Sequence, residues 1–167
     1  MKKDLAVILG LFLIIVAVLF FGGAFSTVSF LTPLQKGAIN SAEKNTSLSV
    51  KTLKIDVDVL TTPNERKKGL GGREDLAITR GALFVFESSD IWPIWMKDMK
   101  FAIDIIWMDE NKKIVYIVGG ARPEPGMKDK DLTIYKPGAQ AKYILEINAG
   151  LANLNNLQVG DSVDFSL

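Results

Sequence analysis

Asp98, Asp104 and Glu146 are carboxyl side chains set in or beside apolar stretches. Two of them converging in a cleft would supply the acid and base that glycoside hydrolysis uses, but the mechanism is defined by their separation, which a sequence does not give. Asp104 is the most informative. In the strand expected from Phe101 to Met108, Ile103, Ile105 and Trp107 line one face, while Ala102, Asp104, Ile106 and Met108 line the other. A single carboxylate in an apolar set must find a partner, because burying it alone costs several kcal/mol. Arg66, Arg73, Lys97 and backbone amides are the candidates. The leading expectation is a paired or hydrogen-bonded carboxylate that fixes strand register. The functional alternative is an acid that contacts a ligand or transfers a proton.

The second candidate is the aromatic run Ile91-Trp92-Pro93-Ile94-Trp95-Met96. Exposed indoles stack on sugar rings or apolar peptide side chains, and Pro93 would stiffen the loop and lower the ordering cost of binding. The plainer reading has Trp95 plugging one end of a barrel and Trp92 covering an edge. The candidate cluster, binding or structural, is therefore Arg66, Arg73, Trp92, Trp95, Lys97, Asp98, Asp104 and Glu146, with no catalytic residue and no metal ligand assigned.

Much chemistry is excluded outright. The chain has no cysteine and no histidine, which removes disulfides, thiolate nucleophiles, Ser-His-Asp triads and imidazole zinc sites. Asp129-Lys130-Asp131 falls short of the oxygen set that calcium takes. The glycines from Gly69 to Gly72 lack the spacing and downstream lysine of a phosphate loop, and Lys67-Lys68 reads as a solvated helix face. No cofactor is expected. From Val50 onward, sixteen lysines and arginines meet seventeen aspartates and glutamates, a net of −1 that gives nucleic acid no purchase.

The positioning elements follow from pattern. Leu5 to Phe21 is an unbroken apolar run after Lys2 and Lys3. Extended to Phe25 it reaches about 31 Å as a helix, near the thickness of a hydrocarbon core. Residues 1–25 are thus expected to be one transmembrane anchor with its amino terminus in the cytoplasm and the remainder of the chain outside. The competing expectation is a cleaved signal ending at Ala24, which would release a secreted domain. Residues 26–49 read as a flexible linker and 50–167 as one extracytoplasmic domain.

Within that domain, Leu53, Ile55, Val57 and Val59 alternate with Lys54, Asp56, Asp58 and Leu60, giving a strand with one core face and one mostly wet face. Thr62-Pro63-Asn64-Glu65 is a capping box opening a short helix that the following glycines must end. Ala82 to Phe86 reads as a buried strand, and Asp109-Glu110-Asn111-Lys112 as a turn within a hairpin. Residues 119–138 should be mostly loop, with a binding or covering role. Lys142 to Ile147 is another strand, Asn148 the N-cap of a short helix presenting Leu151 and Leu154, and a last strand ends at Phe165. The fold class is mainly β (α+β). It is a small antiparallel incomplete barrel or curled sheet with two short helices, preceded by the transmembrane helix.

Several stretches, in this order, resemble the domain of unknown function 192 family, also called the uncharacterised ACR family. They are Thr62 to Leu70 with Arg73, Gly81 to Phe86, Trp95-Met96-Lys97-Asp98 running into Ile103-Asp104-Ile105-Ile106, Leu145 to Gly150, and Val159-Gly160-Asp161. The family pattern has Met at Gly71, Asn at Asp98 and Pro at Ala102. The resemblance implies a small β-rich, often exported fold and brings no catalytic residues.

Three functions are consistent with these features. The first is a membrane-tethered extracytoplasmic binding or interaction domain without catalysis. The second is a carboxylate-dependent hydrolase or lyase acting on envelope glycans with Lys97 or Arg66. The third is an accessory subunit of a membrane complex. The missing nucleophile and base sets favour the first, with the membrane and an envelope glycan or protein as partners.

Overall fold

The computed structural model describes residues 45–167, so the expected transmembrane helix over 1–25 and most of the linker lie outside the described residues. Among the described residues no helix is long and apolar enough to cross a membrane. The strands are β1 (Asn45–Val50), β2 (Leu53–Leu60), β3 (Arg80–Asp90), β4 (Ile94–Trp95), β5 (Ile103–Met108), β6 (Ile114–Ala121), β7 (Ile134–Tyr135), β8 (Ala141–Asn148) and β9 (Asp164–Phe165). Two short helices, α1 (Pro63–Lys68) and α2 (Leu151–Leu154), complete the regular elements apart from a 3-10 turn at Asp129–Asp131. β1 takes in residues 45–49, which the sequence pattern assigned to the linker: its short polar residues hide a strand whose Leu48 and Val50 point into the core.

Seven strands form one curled sheet in the order β6-β5-β8-β3-β2-β1-β9, and β4 and β7 form a separate ribbon. Every neighbouring pair in the large sheet is antiparallel except β2 and β3. A parallel pair cannot be joined by a tight turn, and here α1 sits in the crossover between them. The two edges almost meet. Ile114 N donates to Asp161 O at 2.9 Å and Val163 N to Lys112 O at 2.9 Å, so the segment before β9 ties the start of β6 to the far edge.

This curl gives the sheet two apolar faces. The inner face is the core, where Leu48, Val57, Leu83, Ile106, Leu145 and Phe165 pack together under Leu151 of α2. The outer face carries a second cluster, including Ala82, Phe84, Ile105, Trp107 and Ile144, covered by Leu70, Ile94 and Met96 from the segments after α1 and around β4. β5 is therefore buried on both faces along its whole length.

The capping box forms as expected. Glu65 Oε2 accepts from Thr62 N at 2.8 Å and from Thr61 N at 2.9 Å, while Thr62 Oγ1 accepts from Glu65 N at 3.3 Å. The Thr62 amide contact holds the Glu65 carboxyl below its usual range. The Asp109–Lys112 hairpin turn is also present, with Lys113 N donating to Asp109 Oδ1 at 2.9 Å.

Three expectations need correction. Asp58, placed on the wet face, is only 4% exposed because Arg73 and Arg80 both bind its carboxylate. Asn148 ends β8 instead of capping α2, and its side-chain amide donates to the carbonyls of Leu76 and Ala77; Gly150, at φ 90°, precedes the helix. Leu154 is 79% exposed, so α2 is anchored by Leu151 and Ala152 instead. The stretch from Gly119 to Gly138 is mostly loop, as expected, and also contributes the end of β6 and all of β7, the strand that pairs Tyr135 with Ile94 and Ile134 with Trp95.

Candidate functional site

Along β8, Tyr143, Leu145 and Ile147 point into the core, so the pleat sends Ile144 and Glu146 to the outer face. Register sets Glu146 between Ala82 of β3 and Ile105 of β5. An outward residue would ordinarily meet water, but here the covering layer closes over it and leaves Glu146 5% exposed. Its carboxyl makes no hydrogen bond to any described residue, and burial pushes its pKa up to about 8. At neutral pH it is therefore mostly a neutral acid, able to donate one hydrogen bond and accept others.

Glu146 forms the floor of a cavity of about 290 Å³. One wall is α1 and the turn behind it, with Arg66 and Leu70; the others are Phe84 and Phe86 of β3 and the loop carrying Trp92, Pro93 and Trp95. Each wall is fixed from behind. Arg66 donates to Val85 O at 2.9 Å and also to Thr61 O, and its guanidinium lies 4.8 Å from the Phe86 ring centroid. Trp92 stacks on Phe86 at 4.2 Å with an interplanar angle of 12°. Its indole donates to Ser88 O at 3.1 Å, and its carbonyl accepts from the buried Trp107 indole at 3.0 Å. Trp95, by contrast, does not plug a barrel end: it is 43% exposed at the mouth.

The close approach of α1 depends on Gly71. A Cβ there would stand 2.9 Å from Lys68 O and 3.3 Å from Lys97 O, so a larger residue could not enter without a backbone shift. Asp98, at φ 57°, occupies the left-handed region, which aspartate and asparagine tolerate better than most residues.

Five of the eight expected residues thus converge: Arg66, Trp92, Trp95, Lys97 and Glu146. Asp98 sits next door, in a shallower concavity of about 680 Å³ that shares Lys67, Lys68, Gly71, Lys97 and Met99 with the cavity. Arg73 is elsewhere, on Asp58 at 2.7 Å. Asp104 lies on the inner face, 1% exposed, where Oδ1 accepts from Gly120 N and Oδ2 from Ala152 N, each at 2.8 Å. Its partners are backbone amides; none of the three expected cations reaches it.

The pairing of Asp104 with the α2 amide and the apolar walls Phe84 and Phe86 were not singled out from sequence. Asp104's apolar surroundings signalled that some partner existed, and the Phe-x-Phe spacing was the available signal for the wall. Among the described residues no group of three acidic side chains could hold a metal ion.

Residues 45–165 match the family described as Uncharacterized ACR, domain of unknown function 192. No curated protein matches the chain. Two crystal structures share the fold. One, of a candidate transcription regulator from Sinorhizobium meliloti 1021, is 23% identical with a TM-score of 0.64, over 72% of this chain and 92% of that one. The other, of a protein of unknown function from Novosphingobium aromaticivorans DSM 12444, is 24% identical with a TM-score of 0.62, over 72% and 83%.

Proposed function

The chain belongs to the Uncharacterized ACR family, a membership that supplies a fold and no activity, and from that premise we propose that it is a non-catalytic binding domain receiving a sugar ring in the Glu146 cavity. The observation that carries the reading is a buried carboxyl with no hydrogen-bond partner among the described residues, lining an aromatic-walled cavity. A neutral carboxylic acid offers a donor and acceptors side by side, which matches a sugar hydroxyl. The rings of Trp92 and Trp95 offer flat apolar surface to the C–H face of the ring. The cavity is at the small end of the roughly 300–1,000 Å³ usual for ligand pockets, so it suits one ring or the end of a glycan.

Hydrolysis of that glycan by paired carboxyls has less behind it, since Asp104 is on the other face of the sheet from Glu146 and Asp98 lines the neighbouring concavity and not the cavity. In keeping with the apolar run over Leu5 to Phe21, the domain is tethered to the membrane by residues 1–25 and works outside the cytoplasm, where envelope glycans are its partners. Thermal-shift titration of the chain with monosaccharides tests the reading, because a ligand preferring the folded state must raise Tm. A rise reduced by Trp95→Ala and abolished by Glu146→Leu is expected. No rise with any sugar from a well-folded chain would overturn it and favour the accessory-subunit role.

A further inference from the structure

The cavity and the neighbouring concavity meet along a boundary made by Lys67, Lys68 and Lys97. Four lysines line the outer concavity, and two of them are engaged: Lys97 with Asp129 and Lys100 with Glu74. Lys67 and Lys68 have no acidic partner among the described residues, and both belong to the last turn of α1. Helix polarity is a weak reason for them, since α1 is only six residues long.

A ring stacked in the inner cavity with its hydroxyls on Glu146 would place a substituent across that boundary. We infer that the ligand of this site is an acidic sugar, a ring bearing a carboxylate or phosphate that seats on Lys67 and Lys68 while the ring occupies the aromatic cavity. This rests on the sugar-binding reading above and adds the ligand's charge. Glu146 is compatible with an anion because it meets the ring as a neutral donor at the floor, away from the lysines at the mouth. Among the described residues, Asp98 lines the outer concavity and opposes the anion, while Asp129 and Glu74 are taken up by Lys97 and Lys100. Asp98 limits the preference without reversing the local excess of positive charge.

The test is calorimetric titration of the full chain in nonionic detergent with glucose, glucuronic acid and glucose 6-phosphate, at low and high salt. The two acids should bind about tenfold more tightly than glucose, as one added charge-assisted contact provides. Salt should erase the gain. In Lys67→Gln with Lys68→Gln, the acids should bind no more tightly than glucose binds to the same variant. A preference for glucuronic acid alone or for the phosphate alone identifies which anion the lysines accept. Equal binding of glucose and both acids would overturn the acidic-sugar inference while leaving the sugar-binding reading intact. Failure of all three to bind would overturn both.

Discussion

Asp104 and Glu146 occupy adjacent strands with their carboxyls on opposite faces of the sheet. Glu146 is paired with Ile105, so Asp104, one residue earlier on β5, must point the other way. One carboxyl is consumed by backbone amides in the core and the other is left facing a cavity. The same residue type thereby acquires a structural role on one face and a recognition role on the other.

Asp104 holds the left-handed Gly120 at the β6 bulge with one oxygen and the first turn of α2 with the other. Asp104→Asn replaces one acceptor with an amide facing an N–H. It should cost about 2–4 kcal/mol in urea unfolding, as expected when a buried charge-assisted pair is broken. Unchanged stability would show that the two contacts are not what holds the bulge and helix.

Glu146 makes stability depend on pH. In the folded chain its pKa is about 8, against 4.5 for the ordinary value. Between these, the folded state keeps a proton that the unfolded state has lost, so its contribution to stability falls as pH rises from about 4.5 to about 8. Glu146→Gln removes that loss. The variant should gain on the parent chain by on the order of a few kcal/mol at pH 9, and the gap should close near pH 4. Urea melts across that range check it; parallel pH curves for the two chains would mean the carboxyl is ionised at neutral pH.

Asp58 is gripped by Arg73 and Arg80, both about one-third exposed. Its removal leaves two cations facing each other over a buried position. Asp58→Ala should destabilise by about 1–3 kcal/mol, the solvent access of the arginines limiting the effect. Chemical denaturation of Asp58→Ala beside Arg73→Gln decides the matter, and a smaller cost for losing the aspartate than for losing one arginine would contradict the arrangement.

Trp92 and Trp95 should separate stability from binding. Trp92 is stacked on Phe86 and its loop is fastened by the Trp107 indole, so Trp92→Ala should cost about 2–3 kcal/mol. Trp95 stands at the mouth and is 43% exposed; Trp95→Ala should cost under about 1 kcal/mol and still weaken sugar binding. Thermal melts and titrations on both variants measure the split. Equal losses of stability would argue that Trp95 is a packing residue.

Features set by neighbours in the chain were legible before the structure: the capping box at Thr62, the Asp109 turn and the alternation of β2. Features set by strand order were not. Nothing local tells that β2 and β3 run parallel, since that depends on where α1 carries the chain. Asp58 reads as a wet-face residue because the arginines that bury it lie 15 and 22 residues later. Ile134 and Tyr135 look like loop because their partners are in the aromatic run. For the site, Glu146 and the tryptophans were identifiable as chemically capable, but their meeting in one cavity requires segments from α1, β3, β4 and β8, and only the folded register brings them together.

The most direct test of sugar binding in the Glu146 cavity is an NMR titration of the indole N–H signals. The chain has three tryptophans, so Trp92, Trp95 and Trp107 each give one signal, assigned by single substitution. On adding glucuronic acid, the Trp95 and Trp92 signals should move saturably in the parent chain and stay still in Glu146→Leu. Indole signals that do not move, or that move equally in the variant, would contradict a sugar site built on Glu146.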